Sequence, residues 1–151
     1  MAEAFETRRF AINARLPPVL VTPHDHRRLM RTAQELAEQA HPIAQPLLQE
    51  LNRAVVCPTD QLPEDVVTLD TFVTYRLADS GRSERRALVH PEDLTWPPAE
   101  LSVLTPLGLS LLGLRPGDRV PLIGSDRPMD ACVEVVAVGP RVTGAFVSVG
   151  I

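Results

Sequence analysis

The sequence contains no lysine; its fifteen basic residues are all arginine. Chemistry that needs a lysine amine is excluded with it, including a phosphate-gripping P-loop and a Schiff base. Aromatic residues are few: four Phe, one Tyr and one Trp. That is too few to line an aromatic pocket easily. Cysteine occurs twice, at Cys57 and Cys132, without CxxC spacing or a secretory context. Free thiols are therefore expected rather than a disulfide framework or a zinc cluster. No apolar run approaches the ~20 residues a membrane helix needs. The opening MAEAFETRRFAINARLPP has no continuous apolar stretch and carries Glu3 and Glu6, so a secretory leader is not expected. These absences point to a cytoplasmic chain with no membrane partner.

What is present is ordinary globular material: 151 residues, 44% hydrophobic and 23% charged. A chain of this length can bury a sizeable core without metals or disulfides. The net charge of −4 is unevenly spread. Residues 1–60 balance seven Arg against seven Asp and Glu, whereas residues 61–151 set eight Arg against twelve acids. An acidic C-terminal half repels a phosphate backbone. Direct nucleic-acid binding is not expected, and a protein with basic patches is the better partner.

Residues 1–21 read as a tail, mobile or loosely docked, with Pro17-Pro18 at its exit. Thr22-Pro23-His24-Asp25 is a helix start: Thr22 can cap and Pro23 suits the first helical position. Leu29, Ala33, Leu36 and Ala40 then form a stripe with helical spacing, flanked by Met30 and Ala37, which predicts a helix to about Ala40. His41-Pro42-Ile43-Ala44-Gln45-Pro46 breaks it. A second, shorter helix opens at Pro46, with Leu47, Leu48, Leu51, Ala54 and Val55 on its apolar face, and Cys57-Pro58 ends it. Residues 22–58 thus read as an antiparallel helical hairpin.

From residue 63 the pattern changes. Val66–Thr68 and Thr71–Leu77 read as strands, Ala78–Gly81 as a hairpin turn and Arg82–His90 as the returning strand. A loop with Trp96-Pro97-Pro98 leads to a short strand, Leu101–Val103. Thr105-Pro106 opens a short helix that Gly113 stops. Val120–Ile123 and Met129–Val138 are the last strands, joined across Gly124–Pro128, and residues 141–151 form a tail. The fold class is α+β: a helical hairpin followed by a compact antiparallel sheet carrying one short helix.

Enzyme signatures are poor. GxSxG, GxGxxG, Walker A and HExxH motifs are all lacking. His24-Asp25-His26 has ligand-like chemistry, but neighbours two apart do not face each other on a helix, and a solvated first turn is the simpler reading. Cys57 follows a helix C-terminus, where a reactive thiolate is disfavoured. Arg27, Arg28 and Arg31 crowd one turn near the start of the first helix, either as a solvated face or against an acidic protein surface. Glu35 and Glu38 lie near the hairpin tip. No catalytic residue, metal, cofactor or small-molecule substrate is expected.

The run Leu101-Ser102-Val103-Leu104-Thr105-Pro106-Leu107-Gly108, with Leu111-Leu112-Gly113-Leu114-Arg115-Pro116-Gly117-Asp118, resembles the C-terminal domain of bacterial Gre transcript-cleavage factors. Leu51-Asn52-Arg53-Ala54, Pro63–Leu69 and Ala87-Leu88-Val89-His90-Pro91 are similar to the regulator of nucleoside diphosphate kinase (Rnk) family. The resemblance covers residues 22–140. It implies a bacterial cytoplasmic protein with an N-terminal antiparallel coiled coil and an FKBP-like domain at residues 63–140. It also implies binding to RNA polymerase near the secondary channel, in competition with Gre factors. Carried over residue by residue, the docking loop falls on Leu104, Thr105 and Pro106, with Leu107 and Gly108 following. Two departures matter. Gre factors present acids at the tip of a long coiled coil, whereas the tip here has His41, Pro42 and Gln45, with Glu38 the nearest acid. Gre docking loops also carry an acidic or amide residue before the Ser-Pro, where this chain has Leu104. The resemblance therefore implies a regulator that does not stimulate transcript cleavage. The alternatives are an active Gre-type cleavage factor, a prolyl isomerase suggested only by the FKBP-like fold, and a metal protein built on His24 and His26.

Overall fold

A computed structural model describes residues 19–77, 81–123 and 132–141. Helix α1 spans Pro23–Glu38 and helix α2 spans Ala44–Asn52. Thr22 caps α1, its hydroxyl oxygen accepting the Asp25 N–H at 3.1 Å, with Pro23 in the first turn. The helix stops two residues short of the expected Ala40, because Ala40 itself turns to a left-handed conformation at φ 55°. Sixteen residues make α1 about 24 Å long. Helix α2 starts two residues before Pro46. A proline is tolerated there because first-turn N–H groups have no helical acceptor. Leu29 and Ala33 from α1 pack with Ile43, Leu47 and Leu51 at and within α2.

The helix expected to run to Cys57 ends at Asn52. Val55–Val56 is instead strand β2, paired in parallel with β1, Leu20–Val21. The Val55 N–H donates to the Val19 carbonyl and the Cys57 N–H to the Val21 carbonyl, both at 2.8 Å. Residues 19–21, assigned on sequence to the tail, therefore belong to the fold: Val19 and Val21 are fully buried. Arg141, assigned on sequence to the C-terminal tail 141–151, is in the strand Cys132–Arg141. The rest of both tails, the turn residues 78–80 and the last-hairpin residues 124–131 lie outside the described residues.

The second half is a five-stranded sheet. Its strands are β3 Thr71–Leu77, β4 Ser83–Val89, β5 Glu100–Ser102, β6 Arg119–Pro121 and β7 Cys132–Arg141, in the spatial order β5-β4-β3-β7-β6. Three pairings are antiparallel, as expected; β4 and β5 run parallel, which the sequence reading did not foresee. Helix α3 covers Pro106–Leu111. Val66–Thr68, expected as a strand, belongs to neither sheet. Val67 instead bonds to the distant segment after α3: its N–H donates to the Leu114 carbonyl at 2.9 Å, and the Gly113 N–H donates to its carbonyl at 2.8 Å.

One apolar core joins both halves. Val19, Val21, Leu29, Leu47 and Leu51 pack in the same cluster as Val67, Leu69, Val73, Tyr75, Leu88, Leu109 and Leu111. Burying each such leucine stabilises the fold by about 2 kcal/mol. Gly113 is one point of close approach between the halves. Its φ of +87° suits glycine, and an added Cβ would meet Val19 at 3.1 Å. The Thr68 hydroxyl adds a tie, donating to the Leu20 carbonyl at 2.7 Å. No helix of the described residues is long and apolar enough to cross a membrane.

Candidate partner-docking site

The segment Leu104–Gly108 connects edge strand β5 to α3, and its shape is set by hydrogen bonds among neighbours. The Thr105 hydroxyl donates to the Ser102 carbonyl at 2.8 Å and accepts the Gly108 N–H at 3.0 Å, which caps α3. The Leu104 N–H donates to the Ser102 hydroxyl oxygen at 3.1 Å. Ser110, buried one turn on, donates to the Pro106 carbonyl at 2.6 Å and accepts the Ile123 N–H at 2.8 Å, tying the helix start to the segment after β6. Gly108 lies against the Ser102 backbone, and a Cβ there would overlap the Ser102 carbonyl oxygen. The loop is therefore held in one shape. Pro106 is exposed, while Leu104 and Leu107 are half-buried and lean on the core. Leu104 therefore shares its surface between the core and solvent.

The hairpin tip is also tightly turned. The His41 N–H donates to the Leu36 carbonyl at 2.9 Å, and His41 Nδ1 accepts the Ile43 N–H at 3.1 Å. His41 and Pro42 are exposed in the connection between the helices. Glu38 is the last residue of α1, and Gln45 lies inside the first turn of α2 rather than in the connection.

A charged joint sets α1 against the sheet. Arg28 reaches Asp93 at 2.9 Å and Asp25 at 3.5 Å, and Arg141 at the end of β7 approaches Asp25 at 3.8 Å. His90, just beyond β4, is buried here. Its Nδ1 accepts the Glu92 N–H at 3.1 Å, so the ring proton sits on Nε2 and faces the Thr32 hydroxyl at 3.2 Å. The Thr32 hydroxyl in turn donates to the Arg28 carbonyl at 3.1 Å. Burial, with the Arg28 charge nearby, pushes the His90 pKa below its ordinary value. Burial pushes the neighbouring Asp70 carboxyl up.

The structure disperses the other sequence candidates. His24 is exposed, Asp25 is buried in the joint, and His26 Nε2 lies 3.4 Å from the Leu51 carbonyl. Among the described residues no three His, Cys, Asp or Glu side chains converge as a metal would need. Arg27 and Arg31 are exposed, while Arg28 turns into the joint. A groove of about 530 Å³ between residues 59–68 and the end of β7 carries Asp60, Glu64, Thr68, Thr71 and Arg141.

One surface feature escaped the sequence reading. Trp96 is 65% exposed although its backbone is firmly held. A single oxygen of Glu100 accepts the Thr95 N–H at 2.8 Å, the Thr95 hydroxyl at 3.3 Å and the Trp96 N–H. Glu100, four residues after Trp96, is a sequence hint of the closed turn but not of the indole's exposure.

Two family models match the chain. Residues 17–56 match the Rnk N-terminus, and residues 62–140 match the C-terminal domain of the transcription elongation factors GreA and GreB. The regulator of nucleoside diphosphate kinase of Escherichia coli strain K12 is 36% identical over 104 residues, covering 69% of this chain and 76% of the relative. The transcription elongation factor GreA of Thermotoga neapolitana is 41% identical over 56 residues, 37% of this chain and 36% of that protein. Among solved structures, the prokaryotic transcription elongation factor GreA/GreB from Nitrosomonas europaea superposes with a TM-score of 0.64 at 30% identity, covering 80% of this chain and 98% of its own. An Rnk-type N-terminus and a GreA/GreB-type sheet domain occur here in one chain and share one core, so the protein belongs to the family of the regulator of nucleoside diphosphate kinase.

Proposed function

We propose that this protein is a non-enzymatic regulator of bacterial transcription that binds RNA polymerase near its secondary channel and competes there with Gre factors. The observation that carries the reading is the Thr105-capped loop on edge strand β5. It is a preorganised surface on a GreA/GreB-type domain, with Leu104, Thr105, Pro106, Leu107 and Gly108 as the docking residues. Holding the loop rigid removes an ordering cost that binding would otherwise carry. The paired helices act as a short coiled coil and the sheet domain as an FKBP-like module. The protein works in the cytoplasm, where its polymerase partner is, and needs no cofactor.

The hairpin tip sets this protein apart from a cleavage factor. Its connection presents His41 and Pro42, and Gln45 follows within α2. A divalent ion wants several hard oxygen ligands, and Glu38 supplies one carboxylate at the end of α1. The protein therefore occupies the site without stimulating cleavage. Two assays with purified core polymerase test this: binding in the presence of excess Gre factor, and cleavage of a backtracked transcript. Displacement by Gre factor with no cleavage supports the proposal. Stimulated cleavage would instead make the protein an active Gre-type factor.

A further inference from the structure

We infer that Trp96 is a second contact of the docking surface, seated on the same partner that takes the Leu104–Gly108 loop. This inference rests on the proposed polymerase docking and names a residue that the docking-loop comparison does not reach. Three observations carry it.

The first is exposure without mobility. Trp96 is the sole tryptophan of the chain and shows 65% of its surface. An exposed indole offers a large apolar face that a partner can cover. Its loop is nonetheless fixed. Glu100 gathers the Thr95 and Trp96 N–H groups, Pro97 and Pro98 restrict the backbone that follows, and the Ala99 N–H closes the turn on the Trp96 carbonyl at 3.0 Å. A rigid, solvent-facing indole has the properties of an interface anchor.

The second is position. The carboxylate that fixes Trp96 belongs to the first residue of β5, and the last residue of β5, Ser102, supplies the carbonyl and hydroxyl that shape the docking loop. Three residues of strand span about 10 Å. β5 is the outermost strand of its sheet. Trp96 and Pro106 therefore flank one short edge strand, close enough for one partner surface to cover both.

The third is charge. Residues 87–114 contain no arginine and carry Glu92, Asp93 and Glu100. Arg28 balances Asp93 at 2.9 Å, and Glu92 and Glu100 leave the surface net acidic. The partner that fits is a basic protein surface whose arginine or lysine side chains can lie over the indole face while facing carboxylates at the rim. In the proposed function, that surface belongs to the polymerase.

The test replaces Trp96 with 5-hydroxytryptophan, which can be excited apart from the polymerase's own tryptophans, and measures acrylamide quenching with and without core polymerase. Binding of Trp96→Ala and Trp96→Phe is measured in parallel by competition. The inference expects protection from quenching on binding. It also expects affinity to fall about tenfold or more for Trp96→Ala and less for Trp96→Phe. Unaltered quenching with unaltered Trp96→Ala affinity, in a protein that does bind polymerase, overturns the inference and leaves the docking loop standing. Absence of polymerase binding by the wild type overturns both.

Discussion

Replacing Thr105 with valine removes two hydrogen bonds and keeps the side-chain shape. The hydroxyl accepts the Gly108 N–H at 3.0 Å and donates to the Ser102 carbonyl at 2.8 Å. The carbonyl keeps a partner, because the Thr105 N–H also reaches it at 3.2 Å. The Gly108 N–H does not; it is left orphaned at a buried residue. Losing an N-cap costs about 1 kcal/mol, and leaving a buried donor unpaired costs about 1–3 kcal/mol. These descriptions overlap, so about 2 kcal/mol is the expected loss. For a chain of this size that lowers Tm by roughly 6 to 8 °C. Thr105→Ser keeps the hydroxyl and should stay within about 0.5 kcal/mol of wild type. Urea unfolding followed by circular dichroism measures both variants. A Thr105→Val variant as stable as wild type would refute the argument that these bonds hold the loop. A polymerase affinity that falls for Thr105→Val and returns with Thr105→Ser would connect loop shape to binding.

Gly108→Ala forces a Cβ into the Ser102 carbonyl oxygen. It should cost at least as much as Thr105→Val, about 2–3 kcal/mol, in the same urea experiment; a neutral result would mean that the loop can shift freely. Burial, with the Arg28 charge nearby, lowers the His90 pKa below its ordinary 6.5. The unfolded chain then binds more protons in that window, and the His90 contribution is present above about pH 6.5 and lost as pH falls through the folded value. Wild type should therefore lose more stability than His90→Gln between pH 8 and about pH 5, and parallel profiles would contradict the assignment. Tyr75 is the sole tyrosine, buried and donating to Glu84 at 2.8 Å, with its pKa pushed up to about 12 by burial and that bond. Its stabilisation is present below pH 10 and lost as pH rises through about 12. The phenolate absorbance should stay absent at pH 10 while circular dichroism reports a folded chain, and a half-ionised band there would refute it.

Local signals were legible where the physics is local. Thr22-Pro23 and Thr105-Pro106 mark helix starts because a threonine oxygen and a proline each solve the same problem of unpaired N–H groups; both hydroxyls make the expected bond. The apolar stripe from Leu29 to Leu36 marked α1 because residues three and four apart share one buried helix face. Pairings set by tertiary context were not legible. β1 and β2 are two residues each, and their partners lie 35 positions apart, Leu20 opposite Val55. Nothing near Val55 shows that Val19 will need a backbone partner, so its apolar character read as a helix face. Val66–Thr68 looks like a strand because it is buried and β-branched, yet its hydrogen bonds go to the end of α3. The parallel β4–β5 pair depends on the route taken through residues 91–99, which composition does not encode. At the candidate site, the Thr105-Pro106 turn was visible. Trp96 was not, because an exposed tryptophan in a proline-rich loop differs from a buried one only in what surrounds it.

Competition on RNA polymerase tests the central claim most directly. Labelled protein is titrated with purified bacterial core polymerase, and excess Gre factor is then added. The account predicts saturable binding that Gre factor displaces and that Thr105→Val with Pro106→Ala weakens. Saturable binding that Gre factor leaves untouched would contradict the placement at the secondary channel. No binding at micromolar polymerase would contradict the account itself, leaving a GreA/GreB-type fold put to a different use.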